Sequence, residues 1–296
     1  MNSLSEISLK IRGRGDQYVL NENFRPNPDQ IIINDIIQES TGTNIASNLG
    51  SGINNIKIIW NTDLTSCSSM FNGLENIVEI DLSNFDSSQV IKMDGMFSGC
   101  KKITSIDLTN FKTSSCTNMN SMFAVCELLT SLNLSGFDTS LVKNMGAMFY
   151  DCKSITQLDL SKFKTSLVTK MNSMFRDCVN LNSIDLTSFD TSSVDNMNIM
   201  FYYCSSLTTL NLSNFNTTLV TNMNGMFSAC SNLISLDLSN FITSKVTNMG
   251  FMFYACNKLE SLNINNFETS SVSNMEEMFG YCYVLKSLNL QNFNSY

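Results

Sequence analysis

Apolar and polar positions along the chain repeat with a period of 26 residues. Each repeat carries a methionine-phenylalanine pair, and a second phenylalanine column and a cysteine column follow the same spacing. A fixed period of this length predicts an array of stacked structural units. The pairs are Met70-Phe71, Met96-Phe97, Met122-Phe123, Met148-Phe149, Met174-Phe175, Met200-Phe201, Met226-Phe227, Met252-Phe253 and Met278-Phe279.

The first half of each unit has the alternation of a half-buried strand. In the unit formed by residues 77–102, Ile80 and Leu82 point to one side, and Asp81 and Ser83 point to the other. Side chains alternate in this way along a β-strand, so this half predicts one short strand per unit.

The second half of each unit has apolar residues at the spacing of a helix face. Val90, Met93, Met96, Phe97 and Cys100 follow one another at gaps of 3, 3, 1 and 3 residues. At about 100° per residue these side chains fall on one face of a helix. The pattern therefore predicts one short helix, or a tight helical turn, per unit.

A unit with one short strand and one short helix cannot bury its own apolar face, so its neighbours must cover it. We therefore predict an α/β solenoid over residues 51–296, a leucine-rich-repeat-like stack of about nine 26-residue coils. Strands are spaced more closely than helices, so the stack is predicted to curve. The first coil is expected to be degenerate and the C-terminal coil open. Residues 1–50 are predicted to be a strand-rich arm or cap.

Polar residues at the outward strand positions are the candidate partner-binding face. Solenoid proteins present such broad faces to protein or glycan partners. A solvated sheet face stabilised by side-chain ladders is the alternative. The candidate residues are Asp81, Asp107, Asn133, Asp159, Asp185, Asn211, Asp237, Asn263, Asn289, Ser83, Thr109, Ser135, Ser161 and Thr187.

The composition argues against enzymatic chemistry and against nucleic-acid binding. The chain has no histidine, which removes the usual general base, the histidine-dependent triads and imidazole metal ligands. It has 26 acidic against 18 basic residues and no clustered basic surface for phosphate. We expect no catalytic residues, no cofactor, no metal and no membrane insertion.

The cysteine column runs from Cys100 to Cys282 and is expected to be a row of reduced, buried thiols. On a helical face, successive cysteines would be separated by about a helix diameter, farther apart than a disulfide allows. A linear row also does not converge on a zinc ion.

The units resemble those of the BspA-like leucine-rich-repeat surface-protein family. The resemblance covers about residues 56–296 and rests on units such as Ser235-Leu-Asp-Leu-Ser-Asn-Phe241 followed by Met252-Phe253-Tyr-Ala-Cys256. It implies a cell-surface or secreted binding protein without catalytic residues. Similar arrays occur in large DNA viruses.

Two functions are compatible with these observations. The first is an adhesion or interaction module at a cell surface. The second is a structural component of a larger particle, such as a virion decoration or fibre protein, held through residues 1–50 or the open C-terminal coil. The N-terminal residues lack the pattern of a signal peptide, which favours the second. Arg14-Gly15-Asp16 matches the integrin-binding tripeptide, but so short a match arises easily by chance.

Overall fold

A computed structural model describes residues 5–38 and 43–293. These residues form ten strands and no helix. The strands are β1 Ser5–Arg12, β2 Gly15–Tyr18, β3 Gln30–Ile33, β4 Ile36–Ile37, β5 Ile45–Leu49, β6 Ile53–Trp60, β7 Ile77–Asp81, β8 Ser105–Asp107, β9 Ser235–Asp237 and β10 Ser261–Asn263.

The second half of each 26-residue coil is joined to the next coil by parallel backbone pairing. The bridges form one continuous column in which each coil contributes one residue. In the first half of the coils, β7 pairs with β8 and β9 pairs with β10, also in parallel. The first halves of the other five described coils contain no strand, so the prediction of one strand per coil is wrong. The bridged residues are Ser66, Lys92, Asn118, Asn144, Lys170, Asn196, Asn222, Asn248 and Asn274.

The prediction of one helix per coil is wrong, because this segment alternates turn bonds with bonds to the next coil. The Met96 N–H donates to the Met93 carbonyl at 3.2 Å, which closes a turn within the coil. The Phe97 N–H then donates to the Met122 carbonyl of the next coil at 2.9 Å. The Cys100 N–H closes a second turn onto the Phe97 carbonyl at 3.1 Å. The turns repeat every three or four residues, which is also the spacing of residues on one face of a helix. A series of turns and a helix therefore give the same spacing of apolar residues in the sequence.

Two residues in each of these segments have the left-handed backbone conformation, which an α-helix excludes. They precede the second methionine and the cysteine, and several are not glycine, among them Val125 with φ 59° and Ile199 with φ 47°. The α/β leucine-rich-repeat solenoid predicted from the sequence is therefore wrong. The predicted curvature of the stack loses its physical basis as well, because it was derived from a wider spacing between helices than between strands.

The two phenylalanine columns fill a continuous dry interior, as predicted. Rings from Phe71 to Phe279 stack on their successors at centroid distances between 5.4 and 5.9 Å. Phe175 is fully buried, between Phe149 and Phe201. Because each ring touches the coil before and the coil after, burial couples neighbouring coils.

Another buried column consists of threonine side chains. The hydroxyl of each forms two hydrogen bonds with the backbone of the next coil. The Thr165 hydroxyl donates to the Asp190 carbonyl at 2.8 Å and accepts the Asp190 N–H at 2.8 Å. The same pair of bonds recurs at Thr113, Thr139, Thr191, Thr217 and Thr243.

Replacing Thr165 by valine is expected to lower the free energy of unfolding by about 2 kcal/mol, because two backbone groups lose their partner. Urea unfolding followed by circular dichroism measures the change. Thr169→Val is the control, because the exposed Thr169 hydroxyl makes one bond, at 3.3 Å, to the Lys143 carbonyl. Equal losses for the two variants would contradict the role given to the buried column.

The N-terminal strands pack on the first coils. β1 pairs antiparallel with β6 on one side and with β7 on the other, within a six-stranded sheet of order β4-β3-β6-β1-β7-β8. Trp60 is buried against Phe85 at a ring distance of 6.4 Å. Asn21 donates its N–H to the Met70 carbonyl at 2.8 Å and its side-chain amide to the Asn72 carbonyl at 2.9 Å. These bonds satisfy carbonyl groups that have no preceding coil to bind them.

The boundary predicted at residue 50 stays a prediction, as does the degenerate character of the first coil. Its column residues Leu64, Cys67 and Met70 are buried. In the last coil Phe279 and Cys282 are only partly buried. Residues 1–4, 39–42 and 294–296 belong to the predicted arm and to the predicted open end, and they lie outside the described residues.

Candidate binding face

The predicted polar face is formed by the strand halves of consecutive coils. Asp81 pairs in register with Asp107, and Asp237 with Asn263, so the acidic and amide side chains form one row. Most of the candidate residues are exposed, while Asp81, Ser83 and Asn263 are half-buried. The role of this face in binding a partner stays a prediction.

Each aspartate or asparagine of the row also stabilises the turn that follows it in the chain. The Asp159 carboxylate accepts the Ser161 N–H at 3.0 Å, and the Asp185 carboxylate accepts the Thr187 N–H at 2.9 Å. Short polar side chains commonly form such turns. The remaining acceptors of the row are Asp81, Asp107, Asn133, Asn211, Asp237, Asn263 and Asn289. One oxygen of each side chain therefore has a structural role, while most of these residues remain exposed.

Hydrogen bonds lower the pKa of four aspartates of the row, Asp107, Asp159, Asp185 and Asp237, and keep them ionised. The hydroxyl and amide of Ser161 lower the pKa of Asp159, and the amide and hydroxyl of Thr187 lower the pKa of Asp185. Bonds to the charged form favour it over the protonated form. The nearby Asp159 carboxylate opposes the shift at Asp185. These four carboxylates are therefore negatively charged at neutral pH.

The cysteine column is buried, as predicted, but the spacing argument for it was wrong because no helix carries it. Nine of the ten cysteines are buried and all ten are free. Each thiol from Cys100 onward in the column donates to a phenylalanine carbonyl of an earlier coil, for example Cys178 to Phe149 at 3.1 Å. Burial raises the pKa of Cys152 to about 12. Such thiols act as small apolar side chains with little nucleophilic reactivity.

Arg14-Gly15-Asp16 lies at the start of β2. The Asp16 carboxylate accepts the Asn48 N–H at 3.0 Å, so it contributes to the contact between β2 and β5. Among the described residues, no three His, Cys, Asp or Glu side chains are arranged to hold a metal ion.

Sequence reasoning missed a trough on the outer face of the N-terminal sheet. Two grooves, of about 720 Å³ and about 690 Å³, share Lys10 and Glu79 in their walls. Lys10 and Glu79 form an ion pair at 2.6 Å between β1 and β7. Only the antiparallel pairing of β1 with the first full coil brings these residues together. Periodicity gives no signal for that pairing, since β1 lies outside the repeats.

The repeats match the model of one protein family, described as Mycoplasma protein of unknown function, DUF285. The matched segments are residues 44–133, 126–233 and 207–295, which together cover most of the chain. The chain belongs to this family. No curated protein and no solved structure matches it.

Membership of the DUF285 family agrees with the tandem coils seen in the structure. The three matched segments overlap and run from β5 to the last described coil. The chain is therefore a DUF285 repeat protein. Within the described part of this DUF285 chain, no helix is long and apolar enough to cross a membrane.

Proposed function

We propose that this DUF285 protein is a non-enzymatic binding protein whose polar strand face contacts a protein or glycan partner. One observation carries the proposal. Every coil from residue 77 onward places an aspartate or asparagine at the same position of this face, where one side-chain oxygen accepts a backbone N–H of the following turn. The backbone thus fixes the orientation of each group before any partner arrives, which reduces the entropy cost of binding.

The same geometry argues against an enzyme. The carboxylates lie on an open, repetitive surface, and their pKa values are lowered by hydrogen bonds, as for Asp107 and Asp237. Catalytic acids and bases are instead found where burial or like charge moves their pKa toward neutrality. The resemblance of the units to BspA-like surface proteins supports binding as well, since that family implies recognition without catalysis.

The test is to block the face without breaking its turns. Lysine replaces the exposed residues Ser135, Ser161 and Thr187 in one triple variant, which adds bulk and positive charge to three neighbouring coils. Wild type and variant are compared on arrays of glycans and of purified extracellular proteins. We expect the variant to lose the ligands that wild type retains.

A matched control places three lysines outside the face, two on the same coils and one on the next coil. Leu141, Leu167 and Leu219 are exposed to 47%, 46% and 42%, and they lie outside the candidate face. Their triple lysine variant is expected to keep the wild-type ligands. Binding that survives in the face variant, or disappears equally in both, would contradict the proposal.

A further inference from the structure

The outer face of the N-terminal sheet forms one continuous trough along β1. Every second residue of β1 faces this trough. Ser8 lines one groove, Arg12 lines the other, and Lys10 lines both where they meet at the Lys10–Glu79 ion pair. From Ser8 to Arg12 the strand rises about 13 Å at about 3.3 Å per residue. The trough therefore has the length of four to five extended residues.

The two ends of the trough carry opposite charge. At one end, the carboxylates of Asp81 and Asp107 line the groove, and Lys57 lies across β1 from them. Lys57 is held by Glu6 at 3.4 Å. Within the described residues, neither aspartate forms an ion pair, so this end keeps an uncompensated negative charge.

The other end is basic and partly apolar. Arg12 and Lys102 line it, and neither forms an ion pair with another described residue. The side chains of Ile53 and Leu128 lie beside them and are exposed to 46% and 49%. Lys10 and Glu79 neutralise each other in the middle, and they separate the acidic end from the basic end.

We propose that this trough binds an extended peptide segment of a partner protein, with a basic side chain at Asp81 and Asp107 and an acidic side chain at Arg12 and Lys102. Charges arranged in this complementary order steer binding and set its register. In an extended chain, residues four apart project to the same face, so a basic and an acidic residue at that spacing reach both ends. The exposed Ile53 and Leu128 side chains favour a peptide over a glycan, because a peptide supplies an apolar side chain.

The inference rests on the proposed binding function. Asp81 and Asp107 belong to the candidate face, so the trough names a partner class for the first two coils of that face. It is nevertheless testable by itself. Arg12 and Lys102 lie outside that face, and the face variants at residues 135, 161 and 187 leave the trough unchanged. Failure of one proposal therefore does not imply failure of the other.

The test uses three peptides with blocked ends on the full chain at low ionic strength, measured by calorimetric titration. The first is acetyl-Lys-Ser-Thr-Ser-Glu-Leu-amide, the second carries lysine at both charged positions, and the third carries glutamate at both. Wild type is expected to bind the first about ten-fold more tightly than the other two, because each of those brings like charges together at one end.

The decisive variant combines Arg12→Glu with Lys102→Glu. We expect it to prefer the peptide with two lysines, because both ends of its trough are then acidic. Lys112→Glu with Lys162→Glu is the control, since it changes the net charge equally at two exposed residues outside the trough. The control is expected to keep the wild-type preference.

Three results would overturn the proposal. The first is that wild type binds none of the peptides or does not distinguish them. The second is that the control pair changes the preference as much as the trough pair, which would indicate a general effect of charge. The third is that a glycan displaces the first peptide from wild type and binds wild type more tightly than the trough variant, which would assign the trough to a sugar.

Discussion

Raising the pH above 9.0 is expected to unfold the stack, because the buried thiols cannot ionise where they lie. Burial raises the pKa of Cys100, Cys152 and Cys230 from 9.0 to about 12. In the unfolded chain the same thiols regain an ordinary pKa. Between these two values the unfolded state loses protons that the folded state keeps, so stability falls as the pH rises.

The size of the effect follows from the number of thiols that act together. Below pH 9.0 both states hold the proton and the thiols contribute no pH dependence. Above it, each thiol with a folded pKa near 12 removes about 1.4 kcal/mol per pH unit. With nine cysteines buried, the loss at about pH 10 is on the order of 10 kcal/mol, comparable with the whole stability of a typical domain.

The transition can be followed through Trp60, the single tryptophan, which is buried at 1% exposure. The matched variant replaces Cys126, Cys152 and Cys178 by alanine. It is expected to be less stable at neutral pH but to lose stability with pH about one third less steeply. The measurement is repeated at high salt, which screens exposed pairs such as Lys101 with Glu75 but not buried groups. An unchanged slope in the variant would show that the thiols are not the cause.

The period of 26 residues is sufficient to predict which residues are buried. Phe175 and Met174 fall in columns whose every member recurs at the same offset, and the structure buries them both. The polar row containing Asp159 is predictable for the same reason, since it occupies the opposite phase of the strand half. These features depend on side-chain polarity alone, and polarity is visible in the sequence.

The backbone path of the second half could not be predicted in the same way. Its apolar spacing suits a helix and a series of turns equally, so only the hydrogen-bond partners distinguish them. Those partners lie 25 residues away, as for Phe97 and Met122. Val125 and Ile199 adopt a left-handed conformation that β-branched residues rarely take, so the residue types do not predict this backbone path. The trough could not be predicted either, because it depends on the pairing of Lys10 in β1 with Glu79 in β7, and β1 lies outside the repeats.

Replacing Phe175 by alanine is expected to lower the free energy of unfolding by about 3 to 5 kcal/mol, the range for a fully buried aromatic ring. The Phe175 ring lies 5.8 Å from Phe149 and 5.5 Å from Phe201, so its loss leaves a cavity between two coils. Neighbouring coils supply each other's stability, and a cavity in the middle of the stack therefore weakens both halves. Urea unfolding followed by circular dichroism and by Trp60 fluorescence gives the loss.

Position in the stack provides the control for this prediction. Phe279 is the same residue type in the last described coil, where it is only partly buried and stacks on Phe253 alone. Phe279→Ala is expected to cost less than about half as much as Phe175→Ala. Leu167→Ala, at an exposed residue in the same coil as Phe175, is expected to change stability by less than about 0.5 kcal/mol. Equal effects at residues 175 and 279 would contradict the prediction, because the central ring is buried between two neighbouring coils and the terminal ring is only partly buried against one.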